Sequence, residues 1–449
     1  MFRVARYWLL ALAILLAVAS LALLPACEDE EEETPTPAAS PEVTPGETPA
    51  VTPTVGGPLK IGLLGPLTGA LAPFGPDYVN TANLALDHIN AAGGVLGQDV
   101  ELVVGDTGTA PEQGVAEARR LVDIAGVHAI VGAAASGVTL PIAESVTVPN
   151  KILQISNAST SPALTDVADD DYLFRTPISD AAQGVVLADL VEDLGFTSVC
   201  TMYVNNAYGQ GLSENFAAAY TGTVTAQVSH TAETATTYAS ELAQCVEGDP
   251  EALLALSYPT GQADVYLKEA IEGAIIDQFV FCDGTKSDVL FNELGWEFFD
   301  GMQGTAPGAL ETEFGSTFDD AFEAKYGYIY QTPFNREAYD AIVTIALAAE
   351  KAGSTDPTAI RDALRDVANA PGEAAGPGVD GVANALAAVQ AGTDIDYQGA
   401  AGSIEFDENG DILVGAIEIW RVDAASETLV TDSRVQVDLT TGVLTPIED

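Results

Sequence analysis

The chain has 449 residues, of which 66 are acidic and 16 are basic, so its formal net charge at pH 7 is -50. A surface field of this sign repels polyanions and excludes nucleic acid as a partner, whereas it suits neutral, zwitterionic or cationic small ligands. Hydrophobic residues make up 47% of the chain, enough for buried cores, and the length predicts two domains once the first segment is set apart.

Residues 1–26 have the pattern of a secretory signal. Arg3 and Arg6 precede an apolar run that ends at Leu24, and Leu-Pro-Ala-Cys closes the segment. This ending resembles a bacterial lipobox, in which the signal is cleaved before the cysteine, and it predicts that Cys27 is lipidated. The alternative is an uncleaved membrane anchor, although the apolar run is near the lower length limit for a span. Either way, we expect the bulk of the chain outside the cytoplasm.

Residues 27–58 cannot bury a core. They contain the acidic run EDEEEE and then a Pro/Thr-rich stretch, a composition typical of an extended, solvated tether. Folded structure is therefore expected from about Leu59 onward. The lipid and the tether together predict a protein anchored at the outer face or periplasmic side of the cell membrane.

From Leu59 the chain alternates between short apolar strands and amphipathic helices. Strands are predicted at 60–64, 100–104, 129–131, 152–155 and 172–176. Helices are predicted after Pro76, from Pro111, and from Ser136 to Ser145, where a Val-Pro turn ends the third helix. This alternation predicts a parallel sheet with helices on both faces. The first turn reads GPLTG and not GxGxxG, which excludes a Rossmann dinucleotide site.

The pattern restarts after Thr176. A second lobe is predicted from helices at 180–194, 209–220 and 262–272 and strands at 198–204, 252–256 and 278–281. Later helices are predicted at 311–326, 335–352 and 357–367, and later strands at 403–406, 412–421 and 428–437. The Gly/Ala/Pro-rich stretch 370–401 has no clear pattern. The sequence DENGD at 407–411 predicts a polar hairpin turn, because it lacks the length and the terminal glutamate of a calcium loop.

Hydroxyl groups and exposed backbone N–H groups follow the third and fourth strands. Ser136 and Gly137 come after the third strand, and Ala158, Ser159 and Thr160 come after the fourth. The carboxyl ends of parallel strands share one sheet edge, where ligands bind in open α/β sheets. Such donors at helix N-termini, without Lys, Arg or His, can hold a small anion such as a carboxylate. The alternative is that Ser and Thr only cap the two helices.

Each of the three predicted strands of the second lobe leads to a conspicuous polar side chain. These are Tyr208, Tyr258 and Asp283, which we expect on the edge that faces the first lobe. Asp283 can hold an ammonium group, so the two edges together predict a site for a zwitterion. The alternative for Asp283 is that it only initiates the Asp-Gly turn after its strand.

Three cysteines remain for the folded part once Cys27 is assigned to the lipobox. In an oxidising compartment, one disulfide and one free thiol are the simplest arrangement. Cys200 lies near the start of its strand and Cys245 at the end of a helix that returns to the same edge, whereas Cys282 lies at the opposite edge. We therefore predict a Cys200–Cys245 disulfide. The scattered histidines and the absence of a GxSxG motif from the sequence predict neither a metal site nor a hydrolase.

Several motifs together resemble one known family. They are IGLLGPLTG, INAAGG, VGAAASGVTLP, ISNASTSPALT, YLFRTP, NNAYGQGL and SYPTGQADVYLKEA. From Leu59 to the C-terminus the chain is similar to the solute-binding lipoproteins and periplasmic proteins of ABC transporters for leucine, isoleucine and valine. The resemblance implies a type I periplasmic binding protein fold, an α/β fold with two doubly wound parallel-sheet lobes and a three-segment hinge.

The resemblance also implies a set of ligand-binding residues by motif position. They are Phe74, Ser136, Ala158, Thr160, Tyr208, Tyr258 and Asp283. Ser136 matches the serine that binds the ligand carboxylate, Asp283 matches the acidic partner of the ammonium, and Phe74 stands where an aromatic residue covers the ligand. Asp283 is one methylene shorter than the glutamate that is common in the family.

The implied lobes are residues 59–176 plus 306–411 and residues 177–305 plus 412–449. They would close around the ligand by bending near Thr176, Thr305 and Ile412. The resemblance implies a monomer without catalytic activity or cofactor, which captures an amino acid and delivers it to an ABC permease. The alternative is a sensor of the same fold that binds an amino acid or amide and signals to a membrane partner.

Replacing Cys27 with Ser tests the predicted anchor. Without the thiol no lipid can be attached, so we expect the variant to be released from membranes or to stay unprocessed. Fractionation of cells and mass spectrometry of the mature N-terminus measure both results. Membrane attachment that is unchanged, with an intact N-terminus, would favour the uncleaved anchor instead.

Overall fold

The computed structural model describes residues 56–310, 312 and 314–447. The predicted signal segment, Cys27 and nearly all of the tether lie outside the described residues. None of the helices in this part of the chain combines the length and the apolar character needed to span a membrane.

The first sheet has five parallel strands. They are β1 (Lys60–Gly65), β2 (Glu101–Asp106), β3 (Ala129–Gly132), β4 (Leu153–Ser156) and β5 (Leu173–Arg175). Their order is β2-β1-β3-β4-β5, and every neighbouring pair is parallel. The strands are short and largely buried because helices cover both faces of the sheet. Their carboxyl ends consequently meet at one edge.

Helices from two distant parts of the chain cover this sheet. The early ones are α1 (Gly75–Ala91), α2 (Pro111–Arg119), α3 (Ser136–Ile142) and α4 (Val148–Asn150), where wider turns join α3 to α4. The predicted Val-Pro turn is therefore wrong. Pro149 lies in the first turn of α4, where a missing N–H is tolerated.

The second sheet has eight strands and is mixed. The parallel ones are β6 (Ser198–Val204), β7 (Thr223–His230), β8 (Ala252–Leu256), β9 (Phe279–Phe281) and β10 (Gln303–Gly308). Its helices are α5 (Asp180–Asp193), α6 (Ala207–Ala219), α7 (Ala239–Cys245), α8 (Asp264–Glu272) and α9 (Asp288–Leu294).

The chain then returns to the first sheet before it completes the second. The returning helices are α10 (Thr317–Tyr326), α11 (Asn335–Ala352), α12 (Pro357–Ala368) and α13 (Gly378–Gln390), and they share a core with α1 and the first sheet. A small parallel pair, β11 (Glu373–Ala375) and β12 (Ile395–Tyr397), accompanies them. Antiparallel strands β13 (Val414–Asp423), β14 (Thr428–Asp438) and β15 (Val443–Ile447) complete the second sheet, whose order is β15-β14-β13-β10-β9-β8-β6-β7.

This architecture confirms the predicted fold class, with an antiparallel extension of the second sheet. The predicted strand at 403–406 is wrong, since only isolated bridges occur there. Strand β7 was not predicted, and the segment of β10 was predicted only as a bending point near Thr305, which stays a prediction. β7 is an edge strand with little burial, and β10 reads QGTAPG, whose glycines and proline obscure a strand pattern. Residues 306–308 belong to the second sheet, and the lobe boundaries otherwise stay a prediction.

The cysteines pair as their positions along the strands predict. Cys200 of β6 and Cys245 at the end of α7 form a disulfide, and Cys282 is a buried free thiol. The bridge links a central strand of the second sheet to the helix that covers it.

Arg175 at the end of β5 joins three distant segments through a buried guanidinium group. Two of its nitrogens donate to the two carboxylate oxygens of Asp411, each at 2.7 Å. A third donates to the carbonyl oxygens of Thr160 (3.0 Å) and Ser161 (2.8 Å). Arg175 is only 1% exposed. Its pairing therefore fixes the loop after β4 against the turn at 407–411.

Replacing Asp411 with Asn tests this linkage. The substitution leaves the buried charge of Arg175 without a counter-ion, so we expect a loss of about 3–5 kcal/mol in the free energy of unfolding. Urea denaturation at pH 7 measures it. Asp394→Asn, which removes an exposed ion pair with Lys351, is the matched control and should cost less than about 1 kcal/mol. Equal effects of the two variants would contradict the assigned role.

Candidate ligand-binding cleft

A narrow cavity of about 20 Å³ lies between the carboxyl edges of the two sheets. Twelve residues line it: Leu71, Phe74, Tyr78, Ala134, Ala135, Ser136, Ala158, Tyr208, Tyr258, Asp283, Gly284 and Phe334. The structure thus brings together six of the seven predicted residues, which come from both sheets. None of the described residues that line the cavity is basic.

Thr160 is the predicted residue that does not line the cavity. Its hydroxyl donates to a carboxylate oxygen of Asp180 at 2.9 Å, and its carbonyl accepts from the backbone N–H of Asp180 and from Arg175. Thr160 is fully buried. In this structure it positions Asp180 and the loop after β4, so direct contact with a ligand stays a prediction.

The first-sheet side of the cavity supplies neutral donors. Ser136 is the first residue of α3, so its backbone N–H and that of Gly137 have no acceptor within the helix. The Ser136 hydroxyl oxygen accepts from the backbone N–H of Ser161 at 3.2 Å, which leaves the hydroxyl proton available as a donor. This side of the cavity can therefore hold an anionic oxygen without a formal positive charge.

The second-sheet side presents two parallel aromatic rings. Tyr208 and Tyr258 stack with ring centroids 5.5 Å apart and an interplanar angle of 9°. Asn206 holds both, because its side chain caps α6 at the backbone N–H of Tyr208 and donates to the Tyr258 hydroxyl at 3.1 Å. The Tyr208 hydroxyl donates to Asp283 at 2.7 Å. These bonds fix the wall against which a ligand would pack.

Asp283 lies beside two buried residues of α5 that the sequence analysis missed. Gln183 donates to Asp283 at 2.9 Å, and Asp180 lies in the first turn of the same helix. One oxygen of the Asp180 carboxylate and the amide oxygen of Gln183 have no hydrogen-bond partner within the described residues. In a sequence, an Asp in the first turn of a helix is explained by its favourable interaction with the helix dipole. Nothing in the sequence therefore indicated that Asp180 is buried beside Asp283.

Burial shapes the electrostatics of this acidic cluster. It raises the pKa of Asp283 to about 6, although hydrogen bonds from Tyr208 and Gln183 act in the opposite direction. Burial, and then the nearby charge of Asp283, also raise the pKa of Asp180. The charge of Arg175 lowers the pKa of Asp180, but no ion pair to Asp180 or Asp283 is found within the described residues. The cluster therefore offers acceptor atoms to a cationic donor such as an ammonium group.

The remaining walls of the cavity are apolar. Leu71, Phe74 and Phe334 are each at least 96% buried and line one side. Leu71 and Phe334 were missed because single apolar residues in loops have no distinguishing pattern. Together the walls fit a small ligand with an anionic end, a cationic end and an apolar body.

Most of the chain is similar to proteins of known sequence or structure. Residues 58–411 match the family described as periplasmic binding protein. The Leu/Ile/Val-binding protein homolog 3 of Brucella melitensis is 31% identical over 321 residues, 69% of this chain and 83% of that protein. The substrate-binding protein BasB of a chemotactic signal transduction system in Halobacterium salinarum is 26% identical over 389 residues, 83% of this chain and 89% of that protein. The crystal structure of a leucine-binding protein LivK from Thermotoga maritima has a TM-score of 0.70 at 24% identity, covers 84% of this chain and 98% of its own, and shows the same fold.

Replacing Asp283 with Asn tests the electrostatics of the cluster. The folded protein holds the proton of Asp283 up to a higher pH than the unfolded chain, whose Asp side chains titrate near about 3.9. Ionisation therefore destabilises the wild type as the pH rises from about 4 to about 6. We expect the stability difference to change in favour of Asp283→Asn by about 2–3 kcal/mol over this interval and then to level off.

Urea denaturation of both proteins in the absence of ligand, between pH 4 and pH 8, measures the difference. Asp277→Asn at an exposed position is the control and should show no such trend. A difference that does not change with pH would contradict the environment described for Asp283.

Proposed function

This chain belongs to the periplasmic binding protein family, and from that premise and the cleft geometry we propose that it is an extracytoplasmic solute-binding protein. It captures an amino acid between its two sheets and delivers it to an ABC permease. It performs no catalysis, because its role is to bind, enclose and release an unchanged ligand.

The main support for this function is that one side of the cavity offers hydrogen-bond donors and the other side offers a carboxyl acceptor. Ser136 and the start of α3 offer donors that suit a carboxylate, whereas Asp283 offers an acceptor that suits an ammonium group. An α-amino acid bears both groups on one carbon atom.

The apolar walls support a ligand with an apolar side chain. Leu71, Phe74 and Phe334 would surround it, and the relative from Brucella melitensis is described as a Leu/Ile/Val-binding protein. Leucine, isoleucine and valine are therefore the first ligands to test, with Phe74 covering the ligand and Ala158 contacting it from the loop after β4.

Hydrogen bonds between the loops of the two sheets support a mechanism in which the sheets close around the ligand. The Ser161 hydroxyl donates to the carbonyl oxygen of Ala207 at 2.7 Å, and the Thr260 N–H donates to the carbonyl oxygen of Ala70 at 3.2 Å. Both bonds join loops of the first sheet to loops of the second. A ligand held from both sides would favour this closed arrangement, with bending near the segments that link the two sheets.

The N-terminal segment supports attachment of the protein to the membrane. We propose that Cys27 carries a lipid and that residues 27–58 act as a tether, so the monomeric binding unit stays near its permease. The length of this tether allows the folded part to reach a membrane partner while it remains free to open and close.

A sensor function is the second candidate. The similarity to BasB, which covers 83% of this chain, supports a role in chemotactic signalling. A deletion strain distinguishes the two: loss of uptake of labelled leucine supports transport, whereas normal uptake with loss of chemotaxis toward leucine supports sensing.

Asp283→Ala tests the amino-acid site directly. Loss of the carboxylate leaves a ligand ammonium unpaired in a buried site, which typically costs about 2–5 kcal/mol, so we expect leucine binding to be nearly abolished. Ser136→Ala should weaken binding less, because backbone donors remain. Isothermal titration of both variants and the wild type measures the effect.

The matched control ligand is 4-methylpentanoic acid, which is leucine without its amino group. We expect it to bind far more weakly than leucine to the wild type and to gain relative to leucine in Asp283→Ala. Circular dichroism checks that the variants are folded. Near-normal leucine binding by Asp283→Ala would remove the proposed amino-acid site.

A further inference from the structure

A second, larger cavity lies beside the ligand cavity. It has a volume of about 270 Å³, is partly open to solvent, and is lined by the loop before α11 and by β10, β13 and β14. Phe334 lines both cavities. The hydroxyl of Tyr78, which lines the first cavity, donates at 3.2 Å to the carbonyl of Pro333, which lines the second. A wall about one side chain thick therefore separates them.

Phe334 occupies an unusual position in this wall. Its φ of 70° lies in the left-handed region, which bulky residues rarely adopt, and its carbonyl oxygen accepts the N–H of Ala338 at the start of α11. Glu337 follows three residues later and lines the second cavity. Phe334 and Glu337 therefore both border the second cavity.

Four of the charged side chains that line the second cavity form two ion pairs. Lys286 pairs with Glu418, and Arg336 pairs with Asp319. Glu337 is only 5% exposed, and its carboxyl group receives no hydrogen bond from any other described residue. A carboxyl group with so little exposure is stabilised by a proton, by water in the cavity or by a cationic donor.

We infer that the cleft also takes amino acids with a basic side chain, whose cationic end passes Phe334 and pairs with Glu337 in the second cavity. The inference rests on the function proposed above, because the α-amino and α-carboxylate groups of the ligand stay in the first cavity. The methylene chain would lie against Phe334 and the other apolar walls, as long cationic side chains commonly do in proteins. The strongly negative field of the whole chain attracts such ligands.

The titration of Glu337 provides a specific signature. Burial raises its pKa to about 8, and its own backbone N–H opposes this. The charges of Asp340 and Glu418 also raise the pKa, whereas the charge of Arg336 lowers it. The ionisable groups that face it or share its cavity are Tyr78, Lys286, Asp319, Tyr330, Arg336, Asp340, Glu418 and Arg434. At pH 7 Glu337 is therefore mostly protonated. A cationic side chain favours the carboxylate, so binding of a basic amino acid expels this proton.

Lysine and norleucine form a matched pair of ligands, since norleucine has the same carbon chain without the terminal ammonium. Isothermal titration at pH 7, in phosphate and in Tris buffer, measures affinity and proton release together. We expect the wild type to bind lysine on the order of tenfold more tightly than norleucine and to release close to one proton more with lysine. The lysine preference should grow as the pH rises to about 8 and then level off.

Glu337→Gln keeps the shape of the side chain and removes its charge. We expect it to abolish both the lysine preference and the additional proton release, with norleucine affinity unchanged. Glu373→Gln at an exposed position of β11 is the control and should behave as the wild type.

Three results would overturn the inference: no lysine preference in the wild type, no additional proton release, or equal losses of both ligands in Glu337→Gln. The first two need no variant and so do not depend on the folding of Glu337→Gln. Binding of leucine without lysine would overturn this inference alone. Failure of every amino acid to bind would remove the proposed function together with it.

Discussion

The buried guanidinium of Arg175 is the interaction on which the arrangement of the cleft depends. An arginine cannot give up its charge in a protein, so every donor that is removed from water needs an acceptor. Asp411 neutralises the charge, and the carbonyl oxygens of Thr160 and Ser161 occupy further donors. The loop after β4, the end of β5 and the turn before β13 are thereby held together. This fixes Ala158 at the cavity and the hydroxyl of Thr160 on Asp180.

The acidic cluster of the cleft has the converse requirement: its buried carboxyl groups need hydrogen-bond donors or a cation. Asp180, Gln183 and Asp283 bring acceptor atoms together where water is largely excluded, and the charge of Arg175 is already matched by Asp411. Holding the cluster in the closed arrangement without a cation therefore costs free energy. In the proposed function, a ligand ammonium group would reduce that cost only when both sheets surround it, which would couple binding to closure.

Glu337 is a further buried carboxyl group, and it lines the cavity on the other side of Phe334. It lies in the first turn of α11, and its carbonyl oxygen accepts a hydrogen bond from the hydroxyl of Thr176 at 3.0 Å. Glu337 also lines a cavity that is bordered by β13 and β14. Phe334 lines both the cavity of Asp283 and the cavity of Glu337. In the proposed function, the ammonium group of any α-amino acid would pair with Asp283, and a basic side chain would also pair with Glu337. The side chain of the ligand would then decide whether one cavity or both are occupied.

The sequence by itself determined the features that depend on local pattern. Strand periodicity, strand-end loops and family motifs predicted the fold class, the sheet edges and the residues Ser136, Tyr208, Tyr258 and Asp283 that meet at the cavity. Short-range patterns could not show that the hydroxyl of Thr160 turns inward to Asp180, since the packing around Arg175 decides its direction. Strand β10 was not predicted either, because its sequence QGTAPG contains glycines and a proline that obscure the alternation of a strand.

Only the tertiary structure decided which distant groups share one environment. Asp180 and Asp283 lie about a hundred positions apart, and Phe334 and Glu337 reach the cleft from a helix that returns late in the chain. Their importance comes from burial, which removes water from a carboxyl group and leaves its demand for a partner unmet. Burial depends on how both sheets pack against each other, and no residue pattern within one segment contains that information.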